Sequence, residues 1–213
     1  MVKVKICGIT QEDDLEMAVQ AGADALGFVV NVADSPRNLP LEKARDLIDK
    51  LPDNVDSVAV TVFSQLQEIE QIYQKLSPSF IQLHGLPLGL NCREKLPNLR
   101  LVVAVNATSP NAVEESIPHL EFADALLVDT RGVGGLGGTG RTHDWNLSRR
   151  IRDAIYPVPM ILAGGLTPEN VDRATIAVRP YGVDVSTGVE SRPGIKDPVK
   201  TAEFVRKAKE VKL

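Results

Sequence analysis

Eight short aliphatic runs alternate with eight segments of helical character along the whole chain, and nothing else in the sequence constrains the fold as much. The runs cover residues 2–7, 25–29, 57–62, 80–83, 101–105, 125–128, 160–163 and 183–185. They are built from Val, Ile, Leu and Ala, and lack the polar–apolar alternation of a half-solvated strand. Strands of this kind are buried on both faces, in a parallel sheet covered by helices. The helical segments cover residues 12–21, 41–51, 66–75, 90–96, 112–117, 147–154, 169–178 and 199–209. Eight such units in 213 residues give about 27 residues each, near the smallest (β/α)8 barrels. The expected fold is therefore α/β, a single-domain TIM barrel spanning residues 1–213. Aromatic residues make up only 4% of the chain, which suits an interior filled by branched aliphatics.

Local punctuation agrees with this division. Thr10 and Ser64 are expected to cap the helices that follow them, and Ala21-Gly22 to close the first. Thr167-Pro168 reads as a cap with proline at the first helical position. In the last helix, Val199, Ala202, Val205 and Ala208 form an expected apolar stripe docked on the barrel.

In such a barrel every strand ends at one mouth, where chemistry takes place. Here the strand ends carry reactive or glycine-rich groups. Cys7 ends the first run, His84 the fourth and Asp129 the sixth, while Gly164-Gly165 follow the seventh and Ser186-Thr187-Gly188 the eighth. Two glycine turns in adjacent units favour a phosphate site, since backbone amides there can approach an anion closely. The alternative is that the glycines serve only tight turning. Cys7 is either a reactive thiol or a small buried hydrophobe. Asp129 is either a carboxylate emerging from the core or a turn residue. His84 either orients a substrate or hydrogen-bonds within the mouth. Cys7, His84 and Asp129 match no metal-ligand spacing. The glycine-rich stretch from Thr130 to Asp144 superficially matches two nucleotide-binding fingerprints, but it leads into no helix at the required point. It reads better as a flexible active-site loop.

Bulk properties exclude several classes. Net charge is −4 with interspersed signs, so no nucleic-acid partner is expected. No apolar run approaches the roughly 18 residues of a membrane span. The first strand begins at once, without an export signal. With two distant cysteines, 7 and 92, this points to free thiols in a reducing cytoplasm. Cys92 falls in an expected outer helix and reads as structural.

At these residues the chain resembles the phosphoribosylanthranilate isomerase family over its whole length. The resemblance rests on Lys5-Ile6-Cys7-Gly8-Ile9-Thr10, Gly22-Ala23-Asp24-Ala25-Leu26-Gly27-Phe28, Ser35-Pro36-Arg37, Gln82-Leu83-His84-Gly85 and Leu127-Val128-Asp129-Thr130. It continues in Gly137-Gly138-Thr139-Gly140, Asp144-Trp145, Ala163-Gly164-Gly165-Leu166 and Asp184-Val185-Ser186-Thr187-Gly188-Val189-Glu190. It implies an Amadori rearrangement of a phosphorylated aminosugar, with Asp129 as general acid and Cys7 as general base. It implies that Arg37 holds the substrate carboxylate in a bidentate manner, and that Asp184 and His84 belong to the substrate site. Gly164, Gly165, Ser186, Thr187 and Gly188 would bind phosphate. The implied chemistry needs no metal or redox cofactor, and the protein would act as a monomer or homodimer. Three alternatives stay open: the aminoaldose isomerase of histidine synthesis or a bifunctional relative, another phosphate-sugar barrel such as an epimerase or lyase, and a non-catalytic phosphometabolite-binding barrel.

Overall fold

A computed structural model describes residues 1–87, 90, 92–130 and 144–213, with only the backbone of Cys92. The glycine-rich stretch singled out above therefore lies, apart from Thr130 and Asp144, outside the described residues.

Eight strands close into a ring: β1 Lys3–Cys7, β2 Ala25–Val30, β3 Asp56–Val62, β4 Phe80–His84, β5 Leu101–Asn106, β6 Ala125–Asp129, β7 Met160–Leu162 and β8 Gly182–Val185. Each matches an expected run to within a residue or two. Neighbours pair in parallel throughout, and β1 pairs with both β2 and β8, which closes the barrel. A two-residue strand, Asn38–Leu39, adds to β2 beyond its pairing with β3.

Strand alternation divides the side chains between two environments. Val4 and Ile6 of β1 join the main hydrophobic cluster, which lies between the strands and the helices. Lys3, Lys5 and Cys7 take the other face and point into the barrel. Cys7 packs there with Val29, Val58 and Val60. Val102, Ala125, Leu127 and Ala163 form a second interior cluster, and Phe80 touches both. An eight-stranded barrel has room inside for side chains and little else, so small aliphatics fit. Three interior positions break the apolar rule: Lys5, Gln82 and Asp184 are all buried.

The helices are α1 Glu12–Gln20, α2 Leu41–Ile48, α3 Leu66–Leu76, α4 Ala112–Ser116, α5 Trp145–Ile155, α6 Val171–Val178 and α7 Pro198–Glu210. The segment expected as a helix over 90–96 contains only the 3-10 turn Cys92–Glu94. It is preceded by Pro87 and followed by Pro97, which leaves little room for α-helical hydrogen bonding.

Three expected caps are realised differently. Thr10 donates its hydroxyl hydrogen bond to the Gly194 carbonyl at 2.6 Å instead of capping α1. Ser64 bonds the Glu68 carboxylate, and the N-cap of α3 is Gln65. Thr167 accepts from the Glu169 amide within a turn, and α6 begins only at Val171. The Ala21-Gly22 stop is found as expected, with Gly22 at φ +91°.

The last helix docks on the barrel, but through only half of the expected stripe: Val205 and Ala208 are buried, Val199 and Ala202 are not. Its buried residues are Thr201, Phe204, Val205 and Ala208, while Val199 is 72% exposed. A strict three-residue repeat rotates around a 3.6-residue helix, so Val199 and Ala208 end on opposite faces. The helix starts where Asp197 accepts from the Val199 and Lys200 amides, with Pro198 in its first turn. Between β8 and α7 the chain forms a hairpin, Glu190–Arg192 against Ile195–Lys196. Hydrogen bonds tie this hairpin to Thr10 and Asp14 at the start of α1.

Phe204→Ala should cost about 3–5 kcal/mol of unfolding free energy, because it empties a fully buried site. Val199→Ala should cost almost nothing. Urea denaturation of both variants checks the assignment of faces.

Candidate active site

The first strand brings two inward side chains toward the mouth. The Lys5 ammonium donates to the Asp184 carboxylate at 2.8 Å, and both residues are buried. The pair sits at one register position of the β1–β8 seam, where Lys5 and Asp184 face each other. One layer higher is Cys7, 7% exposed. Gly27 makes room for this group. A Cβ at position 27 would fall 2.8 Å from the Cys7 sulfur and 3.2 Å from the Lys5 Nζ. Burial pushes the Cys7 thiol above its ordinary pKa, against the opposing pull of the Lys5 ammonium and, more weakly, of Lys196. Burial disfavours the Lys5 ammonium too, but Asp184 and Cys7 outweigh it and raise its pKa.

On the far side of the mouth Asp129 ends β6. Its Oδ1 accepts from the Thr130 amide at 2.6 Å and from the Thr130 hydroxyl at 3.1 Å. This anchors one carboxylate oxygen. Gly164 packs against the anchor: a Cβ there would lie 2.8 Å from Asp129 Oδ1 and 2.7 Å from the Thr130 nitrogen. His84 ends β4, with its Nε2 2.9 Å from the Gln82 amide nitrogen. Burial lowers the His84 pKa most, Asp129 counters it, and Lys5 and Asp184 act on the same ring. Burial thus favours the neutral imidazole, and groups from both sides of the mouth act on the one ring.

The expected phosphate turns touch one another. Gly164 and Gly165 adopt φ +83° and +66°, a pair of left-handed conformations that side chains resist. Gly188 presses against the first turn, since a Cβ there would stand 1.9 Å from the Leu166 carbonyl oxygen. The Ser186 hydroxyl is buried and has no hydrogen-bond partner among the described residues.

Arg37, in the loop after β2, is held differently from the expected bidentate substrate clamp. Its Nε and Nη2 donate to the two Glu190 oxygens at 2.7 and 2.6 Å, and Nη2 also reaches the Thr187 hydroxyl at 3.3 Å. The bidentate edge is thus taken by Glu190, while Nη1 has no partner among the described residues. The Arg37 chain lies directly over Gly8, whose Cβ would fall 2.4 Å from Arg37 Cδ. Lys196, with a fully buried side chain, donates to Glu190 at 3.1 Å. Burial tends to raise the Glu190 pKa, yet Arg37 and Lys196 bring it below its ordinary value. Among the described residues, no three of His, Cys, Asp or Glu gather closely enough to hold a metal ion.

A thiol, a carboxylate and a pair of interlocked glycine turns meet at one barrel mouth, and comparison with known proteins places the whole chain in a family. The family model for N-(5'-phosphoribosyl)anthranilate (PRA) isomerase matches residues 4–207. This chain belongs to that family. An N-(5'-phosphoribosyl)anthranilate isomerase from Methanothrix thermoacetophila is 46% identical over 211 residues, covering 98% of this chain and 99% of its own. The crystal structure of phosphoribosyl anthranilate isomerase from Thermotoga maritima superposes with a TM-score of 0.88 at 37% identity, covering 99% and 100% of the two chains. A further solved phosphoribosyl anthranilate isomerase, in complex with reduced 1-(o-carboxyphenylamino)-1-deoxyribulose 5-phosphate, superposes at 0.85 with 36% identity and the same coverage.

Membership in the isomerase family does not by itself single out Lys5, Gln82, Glu190 or Lys196, and reading the strand ends passed over them. Lys5 had a signal. It stands two residues before Cys7, so it shares the inward face of an apolar strand. Lys196 had none, because its position depends on the hairpin. Glu190 should carry a pH signature. Its pKa is depressed on folding, so its ionised form stabilises the protein above its ordinary value of 4.5. That contribution is lost as pH falls through the lower folded value. Glu190→Gln should be less stable than wild type near neutrality, and the gap should narrow in acid. Urea denaturation of both proteins at about pH 7 and about pH 3 measures this.

Proposed function

We propose that this chain isomerises N-(5-phosphoribosyl)anthranilate to 1-(2-carboxyphenylamino)-1-deoxyribulose 5-phosphate by general acid–base catalysis. The observation that carries this reading is the placement of Cys7 and Asp129 at one mouth, with the two interlocked turns beside them. Asp129 donates a proton to the furanose ring oxygen, and the ring opens to a protonated imine. The positive nitrogen acidifies the neighbouring C2–H bond. Cys7 removes that proton, and the electrons of the broken bond form a C1=C2 double bond as the imine nitrogen takes up its pair. The resulting enol tautomerises to the ketone. Proton transfers alone complete the reaction, so no metal or redox cofactor enters it.

The remaining residues supply binding. The turns at Gly164, Gly165, Ser186, Thr187 and Gly188 suit the phosphate, and the partnerless Ser186 hydroxyl supports this. Arg37 meets the anthranilate carboxylate end-on through Nη1, its other edge being held by Glu190. His84, beside Gln82, offers hydrogen bonds to the sugar. Asp184 serves the site through Lys5. A substrate carrying both a phosphate and a carboxylate does not cross membranes unaided, and the cytoplasm is the fitting compartment. Among the described residues no helix is long and apolar enough to span a bilayer. The protein acts as a monomer or a homodimer.

The decay of phosphoribosylanthranilate fluorescence on adding the protein tests the activity. Asp129→Asn keeps size and polarity but lacks the acidic proton. It should retain affinity for a product analogue while turnover falls by roughly 10²–10⁴-fold. Cys7→Ala should lose about 10²-fold or more. Normal turnover in an Asp129→Asn enzyme that binds the analogue would assign ring opening to another group.

Gly188→Ala tests the phosphate turns. The added methyl must displace the Leu166 carbonyl, so the variant should lose about 1–3 kcal/mol of stability. Its KM should rise as the two turns separate. An unchanged KM would show that the turns serve only chain reversal.

A further inference from the structure

Burial in an aliphatic cluster is a poor environment for a thiol that must act as a base. Val29, Val58 and Val60 surround Cys7, and β2 and β3 bring no charge to it. The charged groups that act on Cys7 come from other elements: Lys5 of β1, Asp184 of β8, Lys196 of the hairpin and Arg37 of the loop after β2. His84 of β4 is affected by Lys5 and Asp184 from across the mouth, and by Asp129 of β6.

We propose that Lys5 acts through Cys7: its ammonium, anchored on Asp184 and set against the sulfur, favours the thiolate that proton abstraction requires against the burial that opposes it. This rests on the reading of Cys7 as the base. The geometry has three parts. Lys5 and Cys7 share the inward face of one strand, two residues apart. Gly27 leaves open the space that both groups border, 3.2 Å from Nζ and 2.8 Å from Sγ. Asp184, 2.8 Å from Nζ, keeps the buried lysine protonated where burial alone would strip its charge. The lysine is thus a fixed cation facing a titratable sulfur. Attraction from Lys5 outweighs the repulsion that Asp184 exerts on the thiolate. During turnover the thiolate gains the C2 proton and becomes a neutral thiol, and Lys5 then favours loss of that proton for the next cycle.

The test uses the full chain carrying Cys92→Ser, so that Cys7 is the reacting thiol. The rate of iodoacetamide alkylation against pH gives the midpoint of thiolate formation. Lys5→Met should raise that midpoint by about one pH unit or more, the scale of an opposite charge at this range. Because the single variant leaves Asp184 buried without its partner, Lys5→Met/Asp184→Asn is measured as well, and it too should raise the midpoint. In both variants the acidic limb of kcat/KM should move up by the same amount, with activity recovering at high pH. A midpoint that stays in place in the folded double variant overturns the proposal. The two readings fail separately. A raised midpoint together with full turnover in Cys7→Ala keeps the charge assignment and removes Cys7 from catalysis. An unmoved midpoint together with an inactive Cys7→Ala does the reverse.

Discussion

Where the first strand meets the last, a lysine and an aspartate pair inside the barrel. Lys5 and Asp184 face each other across the β1–β8 ladder, 2.8 Å apart and out of solvent. Taking two charges out of water costs several kcal/mol each, and their attraction only partly offsets that. What the pair supplies is register. Strand side chains alternate with a period of two, so a slip of one residue would turn Lys5 and Cys7 toward the helices. Val4 and Ile6 would then line the mouth. A pair that satisfies itself in only one alignment makes that slip expensive. The position of Cys7, the opening over Gly27 and the approach of Arg37 across Gly8 all depend on the alignment being right.

The same logic extends around the mouth. Glu190 holds Arg37 from one side and Lys196 from the other, so one carboxylate fixes two cations that would otherwise be mobile, long side chains. Gly188 against Leu166, Gly164 against Asp129, and Gly8 against Arg37 are places where any Cβ would collide. These glycines permit contact between elements far apart in sequence. The site is rigid because its parts are packed against each other as well as placed on strands.

The barrel itself was legible in the sequence because aliphatic runs about 27 residues apart admit few other solutions. Strand-end residues such as Cys7, His84 and Asp129 were legible for the same reason, since parallel strands deliver their ends to one side. Interior charge was legible in principle, because Lys5 interrupts an apolar strand on the face of Cys7. The capping details were not. Thr10 and Ser64 had the right chemistry for caps, but other acceptors compete for their hydroxyls: the distant Gly194 carbonyl for Thr10, and the Glu68 carboxylate one turn on for Ser64. The stripe on the last helix held for Val205 and Ala208 and was lost at Val199 and Ala202, because a repeat of three drifts off a helix of 3.6 residues per turn. Arg37 entered only through resemblance, and its commitment to Glu190 depends on a hairpin that no local pattern announces.

The closing seam also bears on how such a chain comes to be made. Lys5 precedes Asp184 by 179 residues, so it is synthesised well before its partner. While the chain is still emerging, the strand bearing Lys5 has one permanent neighbour and no counter-ion. Contacts this distant in sequence form late and slowly. A nascent chain with its first seven strands in place would present an open edge beside an unpaired lysine. The ordering of its active site and the completion of its fold are then the same event, because the charge next to Cys7 is neutralised by the strand that shuts the barrel.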